Sequence, residues 1–361
     1  MQEDFLNLKQ FSISHPIGSG GFSKVYRVKD EKSGEFFAAK VCNFMVDEDT
    51  KEDKETLSLF REVNLMSLLN HPSILKFIGY CPNNFDDDPC PTIITELAIN
   101  GSLRNIIDME NASLSPEQWN DTKKLINIYG IASGMAYLHE HNLIHRDLKP
   151  ENILMDEYLY PKISDFGLSK LIDFLSISMN AQSQSGLKGT PIYMAPEVFE
   201  EKYSKASDVY AFAFIVFEIL TGETLQFKGP IFALMNKIAV QGYRPNIKED
   251  VNEAYRKLIE SCWSHSPDDR PSFEKIVNEL KTNEDYITDL IDVAEFYDYI
   301  DYIDNSRISF EKENQLIHFE DFVKNNGRNK IIRKVKLYKE DKIQYQDNPL
   351  KINEKDDTKI E

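Results

Sequence analysis

Residues 145–152, with the sequence His-Arg-Asp-Leu-Lys-Pro-Glu-Asn, constrain the fold of this 361-residue chain more than any other stretch. The carboxylate of Asp147 is followed by Lys149 and by the amide of Asn152, and a second carboxylate, Asp165, comes later in the chain. Phosphoryl transfer from a nucleotide requires such a set. One carboxylate accepts the proton of the attacking hydroxyl, an amide and another carboxylate hold Mg²⁺, and a lysine neutralises charge on the transferred group. The spacing therefore predicts a phosphotransferase site.

Taken together, these residues resemble the catalytic loop and the metal-binding turn of the eukaryotic protein kinases. The resemblance implies that Asp147 is the base that orients a substrate hydroxyl and that Lys149 lies near the γ-phosphate of ATP. It also implies that Asn152 and Asp165 hold Mg²⁺, with Mn²⁺ as an alternative. Arg146 implies an anionic partner, such as a phosphate on the segment that follows Asp165.

A cluster of glycines lies near the amino terminus, between two stretches in which apolar and polar residues alternate. Glycine lets the backbone approach phosphates closely because it has no Cβ, although a plain hairpin turn has a similar composition. The cluster precedes a strand rather than a helix, so it fits the dinucleotide-binding fingerprint poorly. It resembles the kinase glycine-rich loop, with Ser23 in place of the third glycine. The residues implied to contact ATP here are Ile17, Gly18, Ser19, Gly20, Gly21, Phe22, Ser23 and Val25.

Lys40 lies near the end of a strand-like stretch, residues 36–41. Its distance from the glycine cluster matches the lysine that contacts the α- and β-phosphates in the family. Such a lysine requires a carboxylate partner. The helical pattern over residues 55–69 offers Glu62 beside its apolar face, whereas the alternative, Glu55, stands about two turns earlier. We therefore expect an ion pair between Lys40 and Glu62.

The same resemblance implies an adenine pocket at the junction of two lobes. Residues 97–101 correspond to the hinge, whose backbone groups bind adenine. The residues implied to line the pocket are Thr95, Glu96 and Ala98 at or beside the hinge, and Val25, Ala38 and Leu154 around the ring. Because the residue at the back of the pocket is a threonine, that space is expected to be open.

The segment from Asp165 to Glu197 is rich in serine, glycine, glutamine and asparagine, which is typical of a mobile loop. Its end, residues 189–197, resembles the end of the activation segment in serine/threonine kinases. We hypothesise that phosphorylation of one or more serines orders this segment through Arg146, the alternative being a loop rich in serine only because it is exposed. The candidate serines are Ser176, Ser178, Ser183 and Ser185.

Three further contacts are implied by the resemblance. Thr190 is expected to bond near the catalytic aspartate and lysine, and Asp208 to brace the backbone of the catalytic loop. Arg270 is expected to pair with Glu197 inside the larger lobe. Removing one partner of a buried ion pair strongly destabilises the fold.

The resemblance covers roughly residues 9–281 and implies an α+β fold of the bilobal protein-kinase type. A β-rich N-lobe with one helix and a mostly helical C-lobe would enclose ATP in the cleft. Ser23 and the string Cys-Trp-Ser-His-Ser-Pro-Asp-Asp-Arg-Pro at 262–271 look most like the tyrosine-kinase-like group. The expected boundaries are an extension at 1–8, an N-lobe at about 9–96, the hinge at 97–101 and a C-lobe at 102–281.

The composition changes after residue 281. Residues 284–304 carry eight acidic side chains and no lysine or arginine, and their apolar spacing predicts an acidic amphipathic helix that docks on the kinase or on a partner. Residues 324–342 are basic and could contact that helix, anionic lipid or a nucleic acid, the alternative being a solvated, largely disordered tail. We expect these two segments to occupy residues 282–346, and residues 347–361 to be disordered.

Charge and composition exclude several classes of protein. The net charge of −18 argues against non-specific binding of nucleic acid, so no nucleic-acid partner is expected. No secretory signal and no apolar run long enough to span a bilayer is visible, which predicts a cytoplasmic protein without a transmembrane segment. The four cysteines have no metal-binding spacing and predict reduced thiols.

The function implied is that of a serine/threonine protein kinase acting in signalling, with ATP and a protein that carries a Ser or Thr acceptor as its substrates. The sequence Leu-Lys-Pro-Glu after Asp147 favours this class over tyrosine kinases, although dual specificity stays open. A small-molecule kinase would lack Ala-Pro-Glu, which is present at 195–197. A kinase fold used only as a binding scaffold would be expected to lose Lys40, Asp147, Asn152 or Asp165, and all four are present.

Overall fold

A computed structural model of the chain describes residues 6–21, 23–46, 54–166, 169–171, 190–225, 227 and 229–313. Strands dominate the described residues before the hinge, and helices dominate those after it. The α+β architecture with a β-rich first lobe and a helical second lobe is therefore confirmed. The glycine cluster belongs to the first lobe and the catalytic loop to the second, and the hinge connects the two lobes along the chain.

The first lobe is a five-stranded antiparallel sheet with the strand order β1-β2-β3-β5-β4. Its strands are β1 (Phe11–Ser19), β2 (Ser23–Asp30), β3 (Phe36–Cys42), β4 (Phe77–Cys81) and β5 (Thr92–Glu96). The turn between β2 and β3 contains Gly34 at φ +79°, a conformation that glycine adopts without a steric penalty. The register places Lys40 opposite Val25 of β2 and opposite Ile93 of β5.

One helix, α1 (Lys54–Met66), packs against this sheet. Its apolar residues Leu59 and Val63 are buried against Tyr80 and Ile93, because they recur on one helical face. Glu62 lies next to Val63 and is thereby held at the edge of the packed face. This contact fixes the helix relative to the strand that carries Lys40.

The second lobe is built mainly of helices, and their ends follow capping rules. Its helices are α2 (Leu103–Asn111), α3 (Asp121–Glu140), α4 (Lys205–Thr221), α5 (Ile231–Met235), α6 (Glu253–Cys262), α7 (Phe273–Thr282) and α8 (Val293–Glu313). Ser102 forms a capping box at the start of α2, and the Asn120 side chain caps α3. Gly222 at φ +68° ends α4, as expected for a left-handed C-cap. Both α3 and α4 are buried over most of their length and form the centre of the core.

Two short antiparallel two-stranded sheets frame the catalytic loop. In the first, β6 (Leu143–Ile144) pairs with β9 (Lys170–Leu171), and in the second, β7 (Ile153–Met155) pairs with β8 (Pro161–Ile163). The loop 145–152 thus starts at one of these sheets and ends at the other. Both of its ends are fixed by backbone hydrogen bonds.

The link between α1 and β4 differs from the sequence prediction. The helix ends at Met66 rather than at 69, and β4 begins at Phe77. The residues between α1 and β4 contact the second lobe instead. The Asn70 N–H donates to the Tyr137 hydroxyl, and Ile74 forms a parallel bridge with Ile163. These tertiary contacts determine where the two elements begin and end.

The acidic stretch after residue 283 forms a short 3₁₀ turn, Glu284–Tyr286, and then α8. The buried residues Phe296, Ile300 and Ile303 of α8 belong to the core of the second lobe. Of the two placements left open for this helix, docking on the kinase lobe is the one observed. The basic segment 324–342 and the tail 347–361 lie outside the described residues. No helix in the described ranges has both the length and the apolar character needed to cross a membrane.

Candidate active site

The catalytic loop is held by a carboxylate in the first turn of α4. Oδ2 of Asp208 accepts the His145 N–H at 2.9 Å, and Oδ1 accepts the Arg146 N–H at 3.0 Å. Nε2 of His139 lies 2.9 Å from Oδ2. Asp208 is buried, and a buried carboxylate is tolerated only when it is hydrogen-bonded or paired. These contacts fix the backbone of the loop to the buried helix.

Two residues of the site adopt a strained backbone. Arg146 has φ +72° and Asp165 has φ +63°, in the left-handed region where a residue with a Cβ is disfavoured by about 1–2 kcal/mol. Glycine could adopt these angles without strain, but it offers no guanidinium and no carboxylate. Strained residues of this kind cluster at functional sites.

Asp147 is the centre of a network of short hydrogen bonds. Its Oδ2 lies 2.7 Å from the Lys149 ammonium. Its Oδ1 accepts the N–H of Thr190 at 2.9 Å and the hydroxyl of Thr190 at 3.0 Å. The Lys149 ammonium also donates to the Thr190 hydroxyl at 2.7 Å. The carboxylate is thereby oriented, and the chain after residue 189 is joined to the catalytic loop.

Asn152 and Asp165 offer oxygen atoms suited to a divalent cation. The Asn152 amide NH₂ donates to the backbone oxygen of Asp147 at 2.8 Å, which leaves the amide oxygen as the atom for a cation. Ser164 donates through its N–H and its hydroxyl to the Asn152 carbonyl, so the two candidate ligands are tied through neighbouring backbone. In the described ranges no group of three or more His, Cys, Asp or Glu side chains forms a metal cage. One carboxylate and one amide fit Mg²⁺, which usually completes its shell with phosphates and water.

Lys40 and Glu62 form the expected ion pair, with 2.6 Å between Nζ and Oε1. Glu62 is buried. Burial lowers the pKa of Lys40, but attraction to Glu62 and then to Asp165 outweighs it, so the pKa lies above its ordinary value. Lys40 therefore stays charged in a cleft that also holds Asp165. The rival Glu55 has a side chain outside the described residues.

At two positions of the glycine cluster, neither the packing nor the backbone conformation of the protein requires glycine. A Cβ built on Gly20 or Gly21 would meet no atom within 4 Å, and neither residue is left-handed. The space beside them is therefore open for a ligand that approaches the backbone closely. Gly18 and Ser19 close β1, Ser23 opens β2, and Ile17 is 45% exposed. Phe22 lies outside the described residues.

The hinge offers free backbone groups beside half-buried apolar side chains. In the part of the chain that the structure describes, the N–H and C=O of Ala98 make no backbone hydrogen bond. Val25, Ala38 and Leu154 are half-buried and lie on β2, β3 and β7 respectively. Apolar side chains together with a free backbone donor and acceptor are the groups that bind a planar polar ring.

Two other pocket residues have different surroundings. Thr95 is 7% exposed, and its hydroxyl donates to the Glu96 carbonyl at 3.1 Å. The Glu96 carboxylate accepts the Lys76 N–H at 2.7 Å and lies 3.4 Å from the Lys162 ammonium. The Glu96 N–H donates to the Lys76 carbonyl at 3.0 Å, so Glu96 can offer only its backbone carbonyl to a nucleotide.

Arg270 and Glu197 form a bidentate pair deep in the second lobe. Nη1 and Nη2 of Arg270 lie 2.7 and 2.9 Å from the two oxygens of Glu197, and the arginine side chain is fully buried. Its remaining donors bond the carbonyls of Ser264, Ala206 and His265. The pair joins the segment after Thr190 to the loop before α7.

The proposed phosphorylation sites Ser176, Ser178, Ser183 and Ser185 lie outside the described residues. The guanidinium of Arg146 lies 4.6 Å from the centre of the Tyr203 ring. Regulation of this segment by phosphate on those serines therefore stays a prediction.

A buried network around Arg104 was missed in the sequence. Arg104 on α2 contacts both oxygens of Glu218, at 2.9 and 2.8 Å, and the Tyr193 hydroxyl at 2.8 Å. Its Nε donates to Glu151 of the catalytic loop at 3.1 Å. The available signal was Glu218 itself, the one charged residue in the apolar stretch 209–220, because a buried carboxylate requires a cation as partner.

Comparison with known proteins adds independent information. The family model described as "Protein tyrosine and serine/threonine kinase" matches residues 11–280. The chain is 35% identical over 286 residues to the dual specificity protein kinase shkC of Dictyostelium discoideum, covering 75% of this chain and 51% of that protein. It is 31% identical over 284 residues to the human receptor-interacting serine/threonine-protein kinase 3, covering 75% and 51%.

A third relative is the serine/threonine-protein kinase STY17 of Arabidopsis thaliana. It is 28% identical over 282 residues, covering 76% of this chain and 45% of that protein. The chain therefore spans about half the length of these relatives. The matched part contains the cleft, the catalytic loop and the Arg270 pair.

Proposed function

The chain belongs to the protein tyrosine and serine/threonine kinase family, and we propose that it transfers the γ-phosphoryl group of Mg-ATP to Ser or Thr hydroxyls of proteins in signalling. The resemblance to the tyrosine-kinase-like group is supported by the human and Arabidopsis relatives. Membership implies ATP, a divalent cation and a protein substrate. The identity of the cation, the type of hydroxyl and the roles of single residues are part of the proposal.

The observation that carries this proposal is the joined set of Asp147, Lys149 and Thr190. The Asp147 carboxylate is held by two donors from Thr190 and by the Lys149 ammonium. In the proposed reaction, Asp147 orients the substrate hydroxyl and accepts its proton, and Lys149 reduces the negative charge on the transferred group. Lys40, positioned by Glu62, binds the α- and β-phosphates. Thr190 acts as a positioning residue for both catalytic groups.

Asn152 and Asp165 would hold the divalent cation, which we propose to be Mg²⁺ with Mn²⁺ as a substitute. When bound, the cation neutralises charge on the phosphates. Val25, Ala38 and Leu154 would enclose the adenine, and the free backbone groups of Ala98 would recognise its edge. Catalysis then rests on positioning and electrostatics rather than on a covalent intermediate.

The proposed preference for Ser and Thr rests on Lys149, two residues after Asp147, and on its bond to Thr190. Dual specificity is the second candidate, because the relative shkC carries that description in its name. We also propose a cytoplasmic location, because ATP is the phosphoryl donor and all four cysteines are free thiols, as in reducing compartments.

The test is transfer of labelled γ-phosphate from Mg-ATP to a generic basic Ser/Thr protein, followed by phospho-amino-acid analysis. Asp147→Asn keeps the size of the side chain and removes the base, so the rate should fall by about 10²- to 10⁴-fold. Asp268→Asn is the matched control, since that residue is exposed and lies before α7. It should transfer at the wild-type rate.

Each outcome has a clear meaning. Phosphoserine or phosphothreonine that disappears with Asp147→Asn supports the proposal, whereas additional phosphotyrosine supports dual specificity. A full wild-type rate in Asp147→Asn would refute the role of that carboxylate. Intact ATP binding by wild type without any transfer would instead support a binding scaffold. Replacing Mg²⁺ with Mn²⁺ in the same assay tests the choice of cation.

A further inference from the structure

Helix α8 begins at Val293, beyond the family match that ends at residue 280. One of its residues, Tyr299, is 2% exposed. The Tyr299 ring lies 4.5 Å from the Tyr160 ring and 6.3 Å from the Tyr129 ring, between centroids. Its hydroxyl lies 3.2 Å from the Ser73 hydroxyl, across 226 positions of the chain. A residue outside the matched domain therefore reaches the link between α1 and β4.

Space for Tyr299 is provided by a glycine in the middle of α3. A Cβ on Gly130 would collide with the Tyr299 hydroxyl and with Pro161. One turn later, a Cβ on Gly134 would collide with Ile163 and crowd Ser73. Glycine inside a helix costs about 1 kcal/mol relative to alanine. Two glycines on the same face of α3 thus leave room for Tyr299 and for the Ser73 link.

Ser73 occupies a junction between the two lobes. Its carbonyl accepts the Ile163 N–H at 2.8 Å, and its N–H donates to Nδ1 of His71 at 3.0 Å. The His71 ring in turn lies 3.2 Å from the Ser133 hydroxyl of α3. These bonds therefore tie the segment between α1 and β4 to β8 and α3.

Ser73 lies in the segment that follows α1 and bonds to β8, and both of these elements carry or adjoin site residues. Helix α1 carries Glu62, which holds Lys40 at 2.6 Å. Strand β8 ends at Ile163, two residues before Asp165. The Ser73 side chain is fully buried, and Tyr299 is its hydrogen-bond partner within the described residues. Removing the Tyr299 hydroxyl leaves a buried donor unsatisfied at this junction, which favours local opening.

We propose that Tyr299 is a positioning residue for phosphoryl transfer. It fixes Ser73 from the outer face of the second lobe and thereby sets the position of Glu62 on α1 and of Asp165 after β8. This inference rests on the proposed kinase function for its consequence on ATP, whereas the link from Tyr299 to Ser73 is independent of any nucleotide. Helix α8, which lies beyond the matched domain, thus helps to position residues of the candidate active site.

The test uses the full chain without nucleotide. Hydrogen exchange is measured by mass spectrometry in wild type, Tyr299→Phe, Ser73→Ala and the double variant. Tyr297→Phe is the matched control, because it makes the same chemical change at an exposed position of the same helix. Exchange in α1 and in β8 should rise roughly 3- to 10-fold in Tyr299→Phe, and exchange in α6 should stay at the wild-type rate. Tyr297→Phe should match wild type throughout.

The double variant and ATP kinetics separate positioning from general stability. Ser73→Ala and Tyr299→Phe remove the same bond, so their effects on α1 should be strongly non-additive. In the same variants kcat/KM for ATP should fall roughly 3- to 10-fold, in step with the exchange rates. Unchanged exchange in α1 and β8, a uniform rise in both lobes, or additive effects would each overturn the proposal. If wild type transfers no phosphate, the kinase function fails, but the exchange pattern still decides whether Tyr299 controls this junction.

Discussion

Replacing Arg104 with methionine should expose how strongly the second lobe depends on one buried cation. The Glu218 side chain has no exposed surface, and Arg104 is the cation that contacts both of its oxygens. Burial raises the pKa of Glu218, and Arg104 is the largest opposing influence. Methionine has a similar length but no charge. Among the described residues, Glu218 in Arg104→Met keeps the Tyr193 hydroxyl and the Leu225 N–H as partners.

The size of the effect follows from the cost of protonating Glu218. A buried carboxylate without its cation can always become neutral, which costs about 1.4 kcal/mol for each pH unit above its ordinary pKa. From the ordinary value of 4.5, that limit is about 4 kcal/mol near pH 7.5 and about 1.4 kcal/mol near pH 5.5. The first figure agrees with the ~3–5 kcal/mol typical of breaking a buried pair. With about 2–4 °C of melting temperature per kcal/mol in a large domain, we expect a loss of roughly 10 °C near pH 7.5.

The pH dependence has a definite sign. A carboxyl group whose pKa is raised in the folded state stabilises the fold only at low pH, and that stability is lost as pH rises through the raised value. Arg104→Met raises the pKa of Glu218 further, so its stability falls with pH over a wider window than in wild type. The difference in melting temperature between wild type and variant should therefore shrink at the lower pH.

The assay is thermal unfolding of wild type, Arg104→Met, Glu218→Gln and the double variant at the two pH values. The double variant replaces both charged partners and should recover most of the stability lost in Arg104→Met, because no charge is left buried. A loss that is equal at both pH values, or a double variant as unstable as Arg104→Met, would refute the argument from Glu218.

Two further predictions concern the second lobe. Arg270→Ala removes the guanidinium that donates to Glu197 and to three backbone carbonyls. The free energy of unfolding, measured by denaturant titration, should fall by about 3–5 kcal/mol. An unchanged midpoint would contradict the pairing. Gly130→Ala gains helix propensity of about 1 kcal/mol but places a Cβ against Tyr299 and Pro161. We therefore expect the free energy of unfolding to fall by a net of about 1–2 kcal/mol. A gain in stability would show that α8 is not packed there.

Much of the site could be predicted from the sequence because its signals are local. Asp147, Lys149 and Asn152 stand within six residues of one another, so their order alone indicates a shared loop. The Lys40–Glu62 pair was predicted from the resemblance to the kinase family, which identifies Lys40, and from the helical periodicity that places Glu62 beside an apolar face. Each of these predictions needed only short-range patterns, the chemistry of the reaction and that resemblance.

The contacts that escaped prediction join distant parts of the chain. Arg104 and Glu218 lie 114 positions apart, and no local pattern states which arginine neutralises a buried glutamate. Helix α1 ends at Met66, before the helical pattern ends at 69, because the segment after it contacts Tyr137 and Ile163. The packing of α8 depended on Gly130, whose missing side chain carries no signal of its own in a sequence.

The strained backbone at Arg146 and Asp165 has a consequence for how such a sequence changes over evolutionary time. Arg146 and Asp165 each adopt a left-handed conformation that costs the folded state stability. Replacement by glycine would relieve this strain and raise the stability of the fold. If selection for phosphoryl transfer were lifted, mutations at both positions would be favoured by stability alone. A chain that evolves toward a purely structural role should therefore lose these two side chains early. A chain that keeps both indicates that selection for phosphoryl transfer has been maintained.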